Sequence, residues 1–234
     1  MRRRVGVIGI VALVSVLIFG VVPAQAELSV GGMAGYYNPE FGEVNDRLEE
    51  FNKRTGTDLK FKGGLAYGLT LSYDISPNLR IRGEYNTFTS KTSDSYTDSY
   101  YDCLGDLWED EYNYEEKLAI TPIVLSGIYR FSPDSRLCPY VGAGIGSFPT
   151  KYSYDAERKK YCEGYLDDTD TWSGSDEDSP IGFQVLGGVE FGGKKFSLAA
   201  EVRYITAKAT SITETKFDVD LGGFFAGLVA SIKF

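Results

Sequence analysis

Hydrophobic and polar residues alternate one by one along eight stretches of this chain, at 28–37, 59–74, 79–90, 116–131, 138–152, 180–191, 195–207 and 219–234. A period of two marks a strand whose two faces meet different surroundings. In 59–74, Phe61, Leu65, Tyr67, Leu69, Leu71 and Tyr73 share one face, and Lys62, Gly64, Ala66, Gly68, Thr70 and Ser72 the other. Leu79, Ile81 and Tyr85 likewise oppose Arg80, Arg82, Glu84 and Asn86, and Phe196, Leu198, Val202 and Tyr204 oppose Ser197, Glu201 and Arg203. The last stretch sets Phe224, Leu228, Ile232 and Phe234 against Gly223, Gly227, Ser231 and Lys233. Stretches 116–131 and 138–152 are less clean, with apolar residues on both faces.

Most of these runs exceed the roughly five or six residues of a soluble strand and suit the roughly nine to eleven of a tilted membrane strand. Aromatics also stand near their ends, at Tyr73, Tyr85, Tyr129, Phe131, Phe191, Tyr204 and Phe234, where a membrane barrel carries its girdles. A soluble β-sandwich or a lipocalin-like exported binding protein would alternate too, with the oily face turned inward. Three connections are short and rich in turn formers: Ile75-Ser76-Pro77-Asn78, Ser132-Pro133-Asp134-Ser135-Arg136 and Gly192-Gly193-Lys194. The other four are long and polar. With the amino end on the periplasmic side, the short turns all fall there and the long loops outside.

The first long loop predicts a helix, capped by Asn38-Pro39, with Glu40 and Glu43 in its first turn, Lys53 and Arg54 in its last, and Gly56 as the stop. Phe41, Val44, Leu48 and Phe51 then line one side, a stripe able to pack on a barrel rim or to plug its mouth.

Ahead of the strands, Arg2, Arg3 and Arg4, an apolar core and Ala24-Gln25-Ala26 read as a cleavable secretory signal over 1–26, leaving a single domain over 27–234. No cysteine follows the cleavage site to carry a lipid. Losing those arginines leaves 21 basic residues against 33 acidic ones, a net charge of −12 that disfavours a nucleic-acid partner. Abundant Tyr, Phe and Gly suit strands better than helices. Of three cysteines, Cys103 and Cys162 fall in loops on the same side, which makes them the candidate disulfide with Cys138 free; three unpaired thiols are the alternative.

The ending GLVASIKF, the stretch ITPIVLSGIYRF at 120–131, PYVGAGIG at 139–146 and GFQVLGGVEF at 182–191 resemble the small outer-membrane barrels of the OmpW, OmpX and opacity-protein kind. The resemblance implies an all-β fold: a closed, antiparallel, eight-stranded transmembrane β-barrel with one short helix in the first extracellular loop. It also implies a monomer in the outer membrane, in contact with outer-membrane lipid and lipopolysaccharide. The barrel-assembly machinery would read the final Phe234, with Ile232, Ala230 and Leu228 at every second position before it.

The chain contains no histidine. Membrane-barrel acyltransferases, phospholipases, deacylases and omptin proteases generally rely on one, because its proton affinity suits neutral pH. No catalytic constellation, cofactor motif or zinc pattern is present, so the expectation is a protein that is not an enzyme and takes no cofactor. Inside a narrow barrel, Arg80, Arg82, Glu84, Glu190, Glu201 and Arg203 come to overlapping depths, where buried charges must pair. They predict either a structural ion-pair network that fills the lumen or the polar constriction of a small pore. Asp167, Asp168, Asp170, Asp176, Glu177 and Asp178 offer oxygen ligands for Ca²⁺ or Mg²⁺, but without the spacing of a compact calcium loop such a charge run is usually solvated, and no metal is expected. Two loops rich in acid, tyrosine and tryptophan suit a surface partner or form an extended rim of the barrel. The first function expected is surface interaction or envelope integrity; the alternative is a narrow channel or a lateral conduit for small apolar molecules.

Overall fold

The structure, a computed structural model, describes residues 27–193, 195–212 and 217–234; the proposed signal segment 1–26 lies outside them. The described chain runs as β1 (Glu27–Pro39), α1 (Gly42–Thr55), β2 (Gly64–Asp74), β3 (Leu79–Tyr101), β4 (Leu107–Ile120), β5 (Ile123–Arg130) and β6 (Leu137–Ser147). It continues as β7 (Thr150–Cys162), β8 (Tyr165–Asp178), β9 (Ile181–Gly192), β10 (Phe196–Thr206), β11 (Lys208–Ile212), β12 (Phe217–Asp220) and β13 (Gly223–Lys233).

Eight of these strands close on themselves in the order β2, β1, β13, β10, β9, β6, β5, β3, with β3 returning to β2. All pairings are antiparallel, and the first and last strands meet at β1–β13. One rung runs from Phe88 through Ala66, Gly35, Gly227, Glu201, Gly188, Tyr140 and Arg130. Arg130 lies beside Asn78, so the rung returns to β3 ten residues below its start. That stagger tilts the strands and leaves an interior that side chains can fill.

The outward row is apolar, with Leu65, Tyr67, Leu69, Val185, Val202, Phe224 and Leu228 all exposed, while Thr70, Ser72, Arg82, Glu84, Gln184, Glu201 and Arg203 are buried in the middle. This is the inverse of a soluble sandwich, and it excludes that alternative for the described residues. Phe61 departs from the alternation: it is 1% exposed although it shares parity with Leu65. Residues 57–63 are not yet in the sheet, and β2 begins only at Gly64.

Beyond the barrel, four strands continue upward as one sheet. Pro122, Pro149 and Pro180 interrupt them between β4 and β5, β6 and β7, and β8 and β9, because proline lacks the N–H a ladder needs. The carbonyls of these prolines still accept from Asn86 (3.0 Å), Thr121 (2.8 Å) and Phe148 (2.9 Å). The register is unchanged across each break, so the barrel's pairing carries over into β3–β4–β7–β8. The loops expected at 91–115 and 153–179 are therefore extended strands, the rim reading of the sequence. A two-residue turn with Glu163 (φ 50) and Gly164 (φ 80) closes β7 onto β8, the positive dihedrals that such tight hairpins require.

The helix forms, from Gly42 rather than behind an Asn38-Pro39 cap, since Asn38 and Pro39 pair with Phe224 and Gly223 as the end of β1. Its N-cap is Phe41, held in the left-handed region (φ 53) by burial against Phe61 and Phe88, and Gly56 (φ 76) ends it.

Candidate functional site

The lumen is filled in three storeys. At the short-turn end, Asp74 accepts from Arg80 Nε at 2.6 Å and from Arg130 Nη1 at 2.8 Å. Glu190 takes Arg80 Nη1 at 2.7 Å and Lys233 Nζ at 3.4 Å, and Lys233 reaches Glu27 at 3.8 Å. An open vestibule of about 670 Å³ ends on this layer.

One storey up, Glu84 and Glu201 alternate with Arg82 and Arg203. Arg82 meets Glu84 at 2.7 Å and Glu201 at 2.8 Å, and Arg203 is bonded to both carboxylates. Tyr140 donates to Glu201 at 2.7 Å, and Gln184 donates to Ser126 at 2.9 Å and to Glu84 at 3.3 Å. The Arg203 guanidinium also stands 5.1 Å from the Phe225 ring centre. The two storeys balance cation against anion, as charges removed from water must. Between them, the void lined by Arg80, Arg82, Tyr140 and Glu190 measures about 10 Å³, room for about one water.

The top storey is apolar. Tyr37, Phe41, Val44, Leu48, Leu59, Phe61, Phe88, Leu118, Ile120, Phe148 and Leu221 are buried together where the barrel opens into the extended sheet. Tyr37 meets Phe88 edge-on at 5.2 Å, and Phe61 meets Tyr152 at 6.4 Å. Helix α1 lies in this mouth with Val44 and Leu48 beneath it. Two asparagines lace the return segment to the helix: Asn45 brackets the backbone of Phe61 (2.9 and 3.1 Å), and Asn52 brackets that of Leu59 (2.9 and 2.8 Å). On the segment's other edge, the amides of Asp58, Lys60 and Lys62 donate to Asp94, Thr92 and Ser90 of β3 at 2.6, 3.0 and 3.1 Å. Side chains thus stand in for a missing ladder and satisfy the segment's backbone.

All six of the charged residues singled out from the alternation lie in the lower two storeys. The sequence reading left out Asp74, Arg130, Tyr140, Gln184 and Lys233. Their signal is phase: Asp74 continues Thr70 and Ser72, and Arg130 follows Val124, Ser126 and Ile128 on the inward row of β5.

Above the helix, the inner face of the extended sheet carries an aromatic row. Tyr96 stacks on Tyr112 at 4.8 Å and lies parallel to Tyr114 at 6.0 Å, while Phe51 of α1 abuts Tyr114 at 5.1 Å. Burial and the Tyr114 hydroxyl push the Tyr96 hydroxyl up to about 12. Between α1 and β4, β7 and β8 opens a cleft of about 710 Å³, walled by Phe51, Tyr114, Tyr154, Asp155 and Trp172. At its floor Arg47 donates to Tyr152 at 3.0 Å and stands 3.8 Å from Glu116. Burial raises the Glu116 carboxyl above its usual range, and Tyr152 and Arg47 pull the other way.

Two candidate groupings are not brought together, the acidic run and the disulfide pair, and the second corrects the expected Cys103–Cys162 bond. Asp167, Asp168, Asp170, Asp176, Glu177 and Asp178 do not converge on an ion: they are spread along β8, where Asp170 pairs with Arg158, Glu177 with Lys151 at 2.9 Å, and Asp178 accepts from Thr210. Among the described residues no three metal-binding side chains are grouped to hold a metal. Cys103 and Cys162 are not bonded to each other; both are free thiols, as is the buried Cys138. The Asp102 carboxylate holds the turn around Cys103 by accepting from Leu104 and Asp106, which leaves Cys103 exposed, whereas Cys162 is fixed in β7 opposite Trp108.

At the carboxyl end, Leu228, Ala230, Ile232 and Phe234 all face outward, and the Phe234 amide donates to Leu28 at 2.8 Å.

Residues 10–229 match the family described as outer membrane protein beta-barrel domain. Among solved structures, the chain is similar to Neisserial surface protein A (16% identity, 89% of this chain and 94% of that one, TM-score 0.38). It is similar too to OprG from Pseudomonas aeruginosa (14% identity, 89% and 96%, TM-score 0.47). A major outer membrane protein from Thermus thermophilus follows at 12% identity (90% and 100%, TM-score 0.44). No curated protein sequence matches.

Proposed function

The chain belongs to the outer membrane protein β-barrel family, and from that premise we propose that it is a non-conducting, non-enzymatic outer-membrane barrel that presents an acidic, aromatic sheet to partners outside the cell. The observation that carries this reading is the stacking of two neutral ion-pair storeys beneath an apolar plug, across the line that any water path through the middle would take. A pore needs a wetted lumen, and an eight-stranded barrel has little room to spare once arginines and aromatics fill it. The surface role draws on β4, β7 and β8, where tyrosine and tryptophan offer broad contact area with polar tips among carboxylates. The absence of histidine and the pairing of every lumen carboxylate favour a scaffold over a catalyst.

The test is conductance. Protein refolded into detergent and inserted into a planar bilayer is expected to give a quiet baseline at about 100 mV of either sign. Steady, reproducible single-channel steps would overturn the reading in favour of a narrow pore.

A further inference from the structure

A strand crosses the hydrocarbon in roughly nine to eleven residues. Counted upward from Leu79 on β3, the crossing ends near Thr89, and Lys91 is the next outward residue. Counted from Tyr129 through β5 into β4, it ends near Ala119, and Lys117 comes next. From Leu137 on β6 it ends near Ser147, and Lys151 is the first exposed residue above it, on β7. The segment entering β2 places Lys60 and Lys62 alongside, their amides bonded to Thr92 and Ser90 of β3.

These lysines are neighbours. Lys91 and Lys117 are direct cross-strand partners, and Lys151 pairs with Ala119, one step down the same outward row as Lys117. Like charges directly opposite on one face destabilise a sheet. The arrangement stands out in a chain whose net charge is −9. Glu115 meets Lys91 at 2.7 Å and Glu177 meets Lys151 at 2.9 Å, but these pairs are half-exposed and weakly held. Among the described residues no carboxylate forms an ion pair with Lys60, Lys62 or Lys117. Among the described residues the opposite flank has no such row: Lys208, on β11, is engaged by Asp218 at 2.8 Å and by Glu43 at 3.7 Å.

We propose that Lys60, Lys62, Lys91, Lys117 and Lys151 form a one-sided docking face for the phosphorylated headgroups of outer-leaflet lipid. The row sits in the polar layer just above the oily belt of Tyr85, Ile123 and Ile145, where headgroup phosphates lie, and below the acidic strands. A lipid anchored there has its chains on the barrel wall and its phosphates among ammonium groups. The inference rests on the membrane orientation in the reading above and not on whether the lumen conducts.

The experiment uses the refolded full-length barrel in phosphatidylcholine nanodiscs doped with bisphosphorylated lipid A, and native mass spectrometry counts the lipid A retained. Wild type is expected to hold lipid A, and K91Q/K117Q/K151Q to hold it about tenfold more weakly. The control K53Q/K159Q/K160Q, with the same charge change elsewhere, is expected to match wild type. Dephosphorylated lipid A should be retained equally weakly by all three proteins, and inorganic phosphate should not compete. Equal retention by the two triple variants, or retention indifferent to phosphate on the lipid, would overturn the proposal. A heat-dependent gel shift on each sample separates this outcome from misfolding, and conductance on the same sample tests the non-conducting reading independently.

Discussion

At the scale of single residues, the alternation is decided by what each side chain meets. Glu201 accepts from Tyr140 and pairs with Arg82 and Arg203, and its side chain has no exposure at all. Removing it leaves two buried guanidinium groups with one carboxylate between them. Glu201→Ala is expected to cost about 3–5 kcal/mol, read as a lower urea midpoint of the detergent-refolded barrel. Glu201→Gln, which keeps an acceptor for Tyr140, should lose less; an alanine variant as stable as wild type would show that the network is not holding the strands. The parity of Arg80, Arg82, Glu84, Glu190, Glu201 and Arg203 was readable because each stands in a clean run. Asp74 and Arg130 were not read, because each closes its run beside a turn, where alternation has few neighbours to confirm it. Tyr140 carries no charge to single it out in a run with apolar residues on both faces, yet its phase turns it inward onto Glu201.

Among elements, α1 shows what periodicity can and cannot give. The stripe of Phe41, Val44, Leu48 and Phe51 was legible, and so was the Gly56 stop. The start was not, because Asn38-Pro39 resembles a helix entry while its strand partners Phe224 and Gly223 claim it for β1. The residues after the helix were misread as strand since Leu59 and Phe61 alternate correctly; their hydrogen bonds go to side chains, which no pattern of hydrophobicity records. One of these bonds titrates. The amides of Asp58 and Ser95 hold the Asp94 carboxyl below its usual range. A depressed carboxylate contributes stability above the ordinary carboxylate pKa and loses it as pH falls through the depressed value. Hydrogen exchange at the Asp58 amide is therefore expected to quicken, after correction for intrinsic rates, as pH drops below about 4. In Asp94→Asn, which keeps an acceptor oxygen without the proton equilibrium, that acceleration should vanish. An identical pH profile in both proteins would mean that Asp94 does not fasten the segment.

For the molecule as a whole, the barrel and the sheet above it form one ladder with two solvents. The barrel was legible because its outward row must be oily throughout and its inward row must not. The extension was harder to read, since both its faces meet water and its many Asp, Asn, Gly and Glu residues are poor strand formers. Its order comes from below: the register set among β3, β5, β6 and β9 passes unchanged across Pro122, Pro149 and Pro180. If the barrel templates the extension and not the reverse, the tips are dispensable to the fold. Ser95 pairs with Asn113 and Glu157 with Thr171, so deleting 96–112 and 158–170 and closing each gap with Asn-Gly keeps both registers. The shortened chain retains the ion-pair storeys, the Asp94 fastening and the contact of Phe51 with Tyr114. It is expected to refold, to show the heat-dependent gel shift, and to melt within about 5 °C of the intact protein. Collapse of refolding would mean that the upper strands nucleate the barrel, which would reverse the order of assembly argued from the register.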